Sequence, residues 1–452
     1  MPRKKRSSAS RPVVATKANP KELATAGAHP STASELRTPS THQLNELLGH
    51  YQNNNPNKAR ALATQLSQAF SHHPFAWKVL GAIALREGRI DEALSLNQKV
   101  VELSPSDAAA HNNLGNAQKA SDKEDLAVMS YRRAIELNAQ LPEAHYNLGS
   151  AFEKREKLHE AVLCYETATI LNPDYFAAFS KLGNALLSAG RYEEAIAAIT
   201  QAIKLQPTSE RAHIQLGNAI NAVQFPSSRR DLYEPLIYLL THGNLVRPSN
   251  VSRAIANLLR QDPIIIGLID QKEHLSDLRV LMTAIEDLAK LPLLHALMRA
   301  CSLPNSEIEQ AFAALRRALI CNLSELQPAP SVAKVLSSLA LHCFTNEYVY
   351  AKSDEEDRAV KALDQKLQRQ ASQGTRPAVI ELLCLATYSP LISVRWLEKA
   401  DIEILPVDVK RTFIEEPLIE RDIANSMPCL KTVSDETSEK VRQQYEENPY
   451  PR

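Results

Sequence analysis

The 452-residue chain holds only 12 glycines, six cysteines and two tryptophans, and aromatic residues make up 5% of it. Each shortage excludes something. Between Asn218 and Arg452 there are three glycines, Gly243, Gly267 and Gly374, and no two lie close together. A dinucleotide or nucleoside-triphosphate loop needs clustered glycines, because the backbone must bend tightly and approach phosphate closely. Neither that cluster nor a Gly-x-x-x-x-Gly-Lys loop is present. Cysteines fall at Cys164, Cys301, Cys321, Cys343, Cys384 and Cys429, never as Cys-x-x-Cys, which excludes zinc-ribbon spacing and a disulfide scaffold. They read as reduced thiols packed as small apolar groups, so a cytoplasmic, reducing compartment is expected. No uncharged apolar run reaches the roughly 18 residues of a membrane span, and no membrane partner is expected. The start, Met1-Pro-Arg-Lys-Lys-Arg6, lacks the apolar stretch of a secretory signal.

Charge is balanced, with 52 basic and 52 acidic residues, but unevenly placed. Residues 1–40 hold eight basic against two acidic residues, a net +6 that the remainder offsets with −6. This stretch reads as a solvated, disordered basic leader. The balanced body argues against a nucleic-acid-binding core, which would show a basic face.

What is present is a period of 34 residues. The pair Leu-Gly recurs at Leu80-Gly81, Leu114-Gly115, Leu148-Gly149, Leu182-Gly183 and Leu216-Gly217. Alanine keeps the same step at Ala93, Ala127, Ala161 and Ala195, and proline ends most copies at Pro105, Pro173 and Pro207. Within a copy, apolar residues recur at three- and four-residue steps, so each copy makes two amphipathic helices. Small residues in register mark where two helices touch, and proline stops the second helix. Glu87-Gly88-Arg89 and Ala189-Gly190-Arg191 are turn signals between the two.

Together with Trp77, Phe152 and Tyr165, these columns resemble the tetratricopeptide repeat. The resemblance implies an all-α fold: a solenoid of about four to five helical hairpins at 41–225. Residues 40–73 read as a divergent leading copy, with Ala59 in the alanine column. The fifth copy keeps its first helix, Arg211–Ala222, and loses its second at Pro226 and Arg229. Stacked first helices in this family line a groove, into which their sixth and ninth places point. Here those places hold Asn113, Asn116, Asn147, Ser150, Lys181, Asn184, Gln215 and Asn218. An asparagine amide offers a donor and an acceptor, matching a peptide backbone, so a protein or peptide partner is expected in the groove. The column is similar to the Asn-lined repeats of O-linked N-acetylglucosamine transferases, which suggests an accessory of glycosyl transfer as a weaker alternative. A carboxylate clamp does not fit: Lys78 suits it, but Asn113 and Asn147 stand where arginine is required.

Residues 226–430 keep helical spacing without the 34-residue period, punctuated by Pro248, Pro263, Pro292, Pro304, Pro328, Pro330, Pro377 and Pro390. This predicts an irregular α-helical domain. Ser353-Asp-Glu-Glu356 reads as a helix capping box, and His295 and His342 as core residues. Three segments, Ala314–Leu319, Cys343–Tyr348 and Val441–Arg452 (ending Tyr-Glu-Glu-Asn-Pro-Tyr-Pro-Arg), resemble bacterial tetratricopeptide proteins fused to a class I S-adenosylmethionine-dependent methyltransferase. In that family the last segment precedes the catalytic domain, making 431–452 a linker helix. The Gly-rich cofactor loop is absent here, so no cofactor site is expected in the chain. Tyr445, Pro449, Tyr450 and Arg452 could at most cover a cofactor pocket supplied by further sequence. The expectation is a partner-recruiting module, with a fragment of an active methyltransferase as the alternative.

Overall fold

The computed structural model describes residues 38–394, 396 and 402–426. The expected leader up to residue 37, Cys429, and the segment holding Tyr445, Pro449, Tyr450 and Arg452 lie outside the described residues. No strand occurs among the described residues. The chain divides into two compact units, one ending at Gln206 and one starting at Pro207.

The first unit is five helical hairpins: α1 (Thr41–Gln52) with α2 (Pro56–Ala69), α3 (Pro74–Arg86) with α4 (Ile90–Leu103), α5 (Ala108–Ala120) with α6 (Glu124–Leu137), α7 (Pro142–Lys154) with α8 (Leu158–Leu171), and α9 (Phe176–Ser188) with α10 (Tyr192–Leu205). The repeat columns explain the packing. Ala93, Ala127, Ala161 and Ala195 are fully buried, as is Ala59 of the divergent copy. The glycines let each first helix touch its second helix. A Cβ on Gly115 would sit 2.6 Å from the Tyr131 ring, and one on Gly183 would sit 2.5 Å from Ile199 Cγ1. Such contacts are closer than packed atoms tolerate.

Each hairpin turns through one residue in the left-handed region: Asn54, Gly88, Asp122, Glu156 and Gly190, with φ between 57° and 76°. Only two are glycine; Asn54 and Asp122 are of the types that visit this region most readily, whereas Glu156 holds a conformation that costs an L-residue about 1 kcal/mol or more. The first helices α1, α3, α5 and α7 pack successively on one another, more closely than successive second helices do. They therefore form the inner, more tightly curved face, and the second helices the outer one, where Leu126, Met129, Leu163 and Ile170 are exposed.

The second unit begins with α11 (Glu210–Ile220), the first helix of the fifth Leu-Gly copy, which packs on α12 (Tyr233–Thr241) and α13 (Pro248–Arg260). Then follow α14 (Pro263–Asp270), α15 (Leu278–Leu288), α16 (Pro292–Ala300), α17 (Ser306–Cys321), α18 (Pro330–Thr345), α19 (Asp354–Ser372) and α20 (Val379–Ala386). Last come α21 (Val407–Lys410), a π-turn and α22 (Glu416–Ser426). Proline occupies the first turn of α13, α14, α16 and α18, where a missing N–H costs no bond. Two buried polar knots tie the unit. Asp262 caps α14 and accepts from both Arg230 nitrogens (2.8 and 2.9 Å) and from Tyr233 Oη (2.7 Å). Glu356 closes the expected capping box with Ser353 and also accepts from Arg316 (3.2 Å), Arg317 (3.3 Å) and Tyr388 (2.9 Å). The Arg316 guanidinium carbon lies 4.5 Å from the centre of the Tyr388 ring and 5.4 Å from that of Tyr350, a cation–π arrangement. His295 and His342 are buried, as a core reading requires.

Candidate functional site

The inner face of the first unit is built from side chains one or two helical turns apart. On α5, Asn113, Asn116 and Lys119 stand three residues apart and so share one side of the helix. On α7 the corresponding residues are Asn147, Ser150 and Glu153, and on α9 Lys181 and Asn184. All of these except Lys119 and Glu153 occupy the sixth and ninth places of their helices.

The structure links these positions instead of leaving them as independent solvated groups. Asn147 Nδ2 donates to Asn112 Oδ1 (2.9 Å), joining α7 to α5. Tyr131 Oη donates to Asn116 Oδ1 (2.8 Å), so the amide group is what Asn116 still offers. Lys119 Nζ donates to Ser150 Oγ (2.7 Å). Glu153 Oε2 accepts from Lys181 Nζ and from Tyr165 Oη, both at 2.8 Å. Among the described residues, the side chains of Asn113 and Asn184 have no hydrogen-bond partner. Asn113 is 7% exposed and Asn184 half-buried, with their amides reachable. Burial is also the first cause that lowers the Lys119 ammonium below the ordinary lysine value, opposed by Glu124 and reinforced by Lys181.

Sequence columns did not single out Lys119 or Glu153, which occupy the twelfth place of their helices. The signal was present in the alternating charge at that place but not in any repeated residue. Gln215 and Asn218 sit on α11 in the second unit, Gln215 buried and Asn218 exposed. Lys78, the one residue suited to a carboxylate clamp, is bound instead to Asp107, the N-cap of α5.

A hairpin repeat with small residues at the helix contact and a polar inner face defines the helical-repeat class of interaction proteins. Residues 44–108 and 146–210 match one model of the tetratricopeptide repeat, and 123–155 match a second. These residues carry tetratricopeptide repeats, and such repeats generally bind protein or peptide partners. No curated protein matches it. Among solved structures it is similar to YrrB, "a TPR protein with an unusual peptide-binding site" (21% identity, 38% of this chain and 90% of that one, TM-score 0.31). It is also similar to TTC0263, a thermophilic TPR protein of Thermus thermophilus (19% identity, 40% and 98%, TM-score 0.35). A third is PilW, a type IV pilus biogenesis factor (15% identity, 47% and 96%, TM-score 0.40). Among the described residues no helix is long and apolar enough to cross a membrane.

Proposed function

We propose that the inner face of the repeat array captures an extended segment of a protein partner by its main-chain amides, and that this capture recruits the partner for methyl transfer. The observation that carries the first part is the pair of unpaired amides, Asn113 and Asn184, flanking α7 on the inner face. Each meets a donor and an acceptor of an extended backbone, so the recognition depends little on side-chain identity. The second part rests on the segments Ala314–Leu319, Cys343–Tyr348 and Val441–Arg452, which resemble tetratricopeptide proteins fused to methyltransferases. No step of the transfer is assigned to residues of this chain.

Fluorescence polarisation of labelled, unstructured peptides with the full chain tests the groove. Asn113→Ala and Asn184→Ala should each weaken capture about 2- to 12-fold, the value of one amide pairing of about 0.5–1.5 kcal/mol, with helicity unchanged. Unaltered affinity in both variants refutes the reading. Calorimetry with S-adenosylmethionine tests the division of labour. No binding heat is expected, and tight binding would replace recruitment by catalysis within the chain.

A further inference from the structure

The inner face is richer in donors than a main-chain ladder needs. Lys78, Lys154 and Lys181 are each held by a carboxylate, from Asp107, Glu124 and Glu153 respectively. Lys119 is not: among the described residues its partner is the neutral Ser150 hydroxyl, and it makes no ion pair. That hydroxyl takes one of three ammonium hydrogens and leaves two without a partner among the described residues. Asn116, one turn back on α5, has its oxygen filled by Tyr131 and offers its amide hydrogens. Three residues of α5 rise about 4.5 Å, close to the span of one to two residues of extended peptide. Asn113, Asn116 and Lys119 therefore match about three consecutive peptide residues.

We propose that the groove selects extended peptides carrying an aspartate or glutamate side chain at mid-segment, seated on Lys119. The inference rests on the groove reading above and adds the chemistry of its partner. The carboxylates near this half-buried ammonium, Glu124 and Glu153, are bound to Lys154 and Lys181, and Lys119 has already lost much of its water, so an arriving carboxylate forms a charge-assisted hydrogen bond with little further desolvation of the lysine. A side-chain carboxylate fits better than a chain end. A clamp for a chain end requires arginine where Asn113 and Asn147 stand, and its lysine place, Lys78, is bound to Asp107.

The test is a set of labelled ten-residue peptides of Ser, Ala and Gln, measured with the full chain at two salt concentrations. One set carries a single central Asp or Glu with an amidated end. A second is neutral with an amidated end. A third is neutral with a free carboxylate end. The central-acid set should bind at least tenfold more tightly than the neutral amidated set, equivalent to about 1.4 kcal/mol. The preference should shrink with salt, disappear in Lys119→Gln and persist in Lys119→Arg. A circular-dichroism spectrum of Lys119→Gln equal to that of the parent shows that it folds.

Equal binding of acidic and neutral peptides, with loss in Asn113→Ala, overturns the acidic preference and leaves the groove standing. A preference for the free-end set over the central-acid set overturns the choice of side chain over chain end. Binding by no set, or binding indifferent to every groove variant, overturns both.

Discussion

Replacing Gly115 by alanine sets helix propensity against packing. Gly115 lies inside α5, where alanine ordinarily stabilises a helix by about 1 kcal/mol. Its Cβ, however, would stand 2.6 and 2.7 Å from Cε1 and Cδ1 of Tyr131. That ring is fully buried, and its hydroxyl is anchored on Asn116, so it cannot swing aside without losing a hydrogen bond. Overpacking of this kind costs about 1–3 kcal/mol, more where the neighbour is pinned. The packing term wins, and the net effect is a destabilisation of about 2 kcal/mol. Gly217 in α11 supplies the control, because a Cβ there meets only Leu239 at 3.4 Å, Val251 at 3.5 Å and Val246 at 3.6 Å, ordinary contact distances. Gly217→Ala should keep the propensity gain and stabilise by about 0.5–1 kcal/mol. Urea unfolding reads both. In a Trp396→Phe background, fluorescence reports Trp77 on α3 in the first unit; in a Trp77→Phe background it reports Trp396 in the second. With a slope of about 2 kcal/mol/M, Gly115→Ala should lower the first midpoint by about 1 M, and Gly217→Ala should raise the second by a fraction of that. A Gly115→Ala midpoint equal to or above the parent would refute the reasoning that the Leu-Gly column is kept for helix contact.

Glu156→Gly should stabilise the first unit by about 0.5–1 kcal/mol in the same assay, because Glu156 turns at φ 59°; a loss of stability would mean that its side chain contributes more than its backbone strain removes. Asp262→Ala should cost the second unit about 2–4 kcal/mol, since it removes the cap of α14 and strands Tyr233, while Asp262→Asn should retain part of the cap; equal midpoints for all three proteins would contradict this. Burial pushes His295 and His342 down to about 4, so both stay neutral in the fold while the unfolded chain protonates near 6.5. The second unit should therefore keep its stability above about pH 6.5 and lose it progressively toward about pH 4; a flat Trp396 midpoint over that window contradicts it. Among the five described cysteines, exposed Cys321 should alkylate first at about pH 8, because burial pushes Cys164 and Cys301 up to about 11 and Cys343 to about 12; peptide mapping showing Cys343 modified first would contradict its burial.

The repeat architecture was legible because its defining contacts are made by the smallest side chains. At Gly115, Gly149 and Gly183 only a hydrogen fits against Tyr131, Tyr165 and Ile199, so the residue type alone reports the contact. The turn column was half legible. Gly88 and Gly190 announce a left-handed residue, whereas Asp122 and Glu156 adopt the same backbone without advertising it.

The inner face follows the opposite logic. Asn113 and Asn147 occupy equivalent places and look interchangeable in the sequence, yet Asn147 is spent on Asn112 and Asn113 is not. Pairing there depends on which residue the next hairpin brings alongside, 28 to 35 positions away, as with Lys119 and Ser150 or Lys181 and Glu153. A repeat pattern reports what each copy shares, and a binding face is made of what its copies do not share. Lys119 is the clearest instance: nothing in its own column marks it, and its distinction is a neighbour that happens to be serine rather than glutamate. On the proposal above, a peptide is held by the inner-face asparagine amides that stay unpaired and chosen by Lys119, whose hydrogen-bond partner is a neutral hydroxyl.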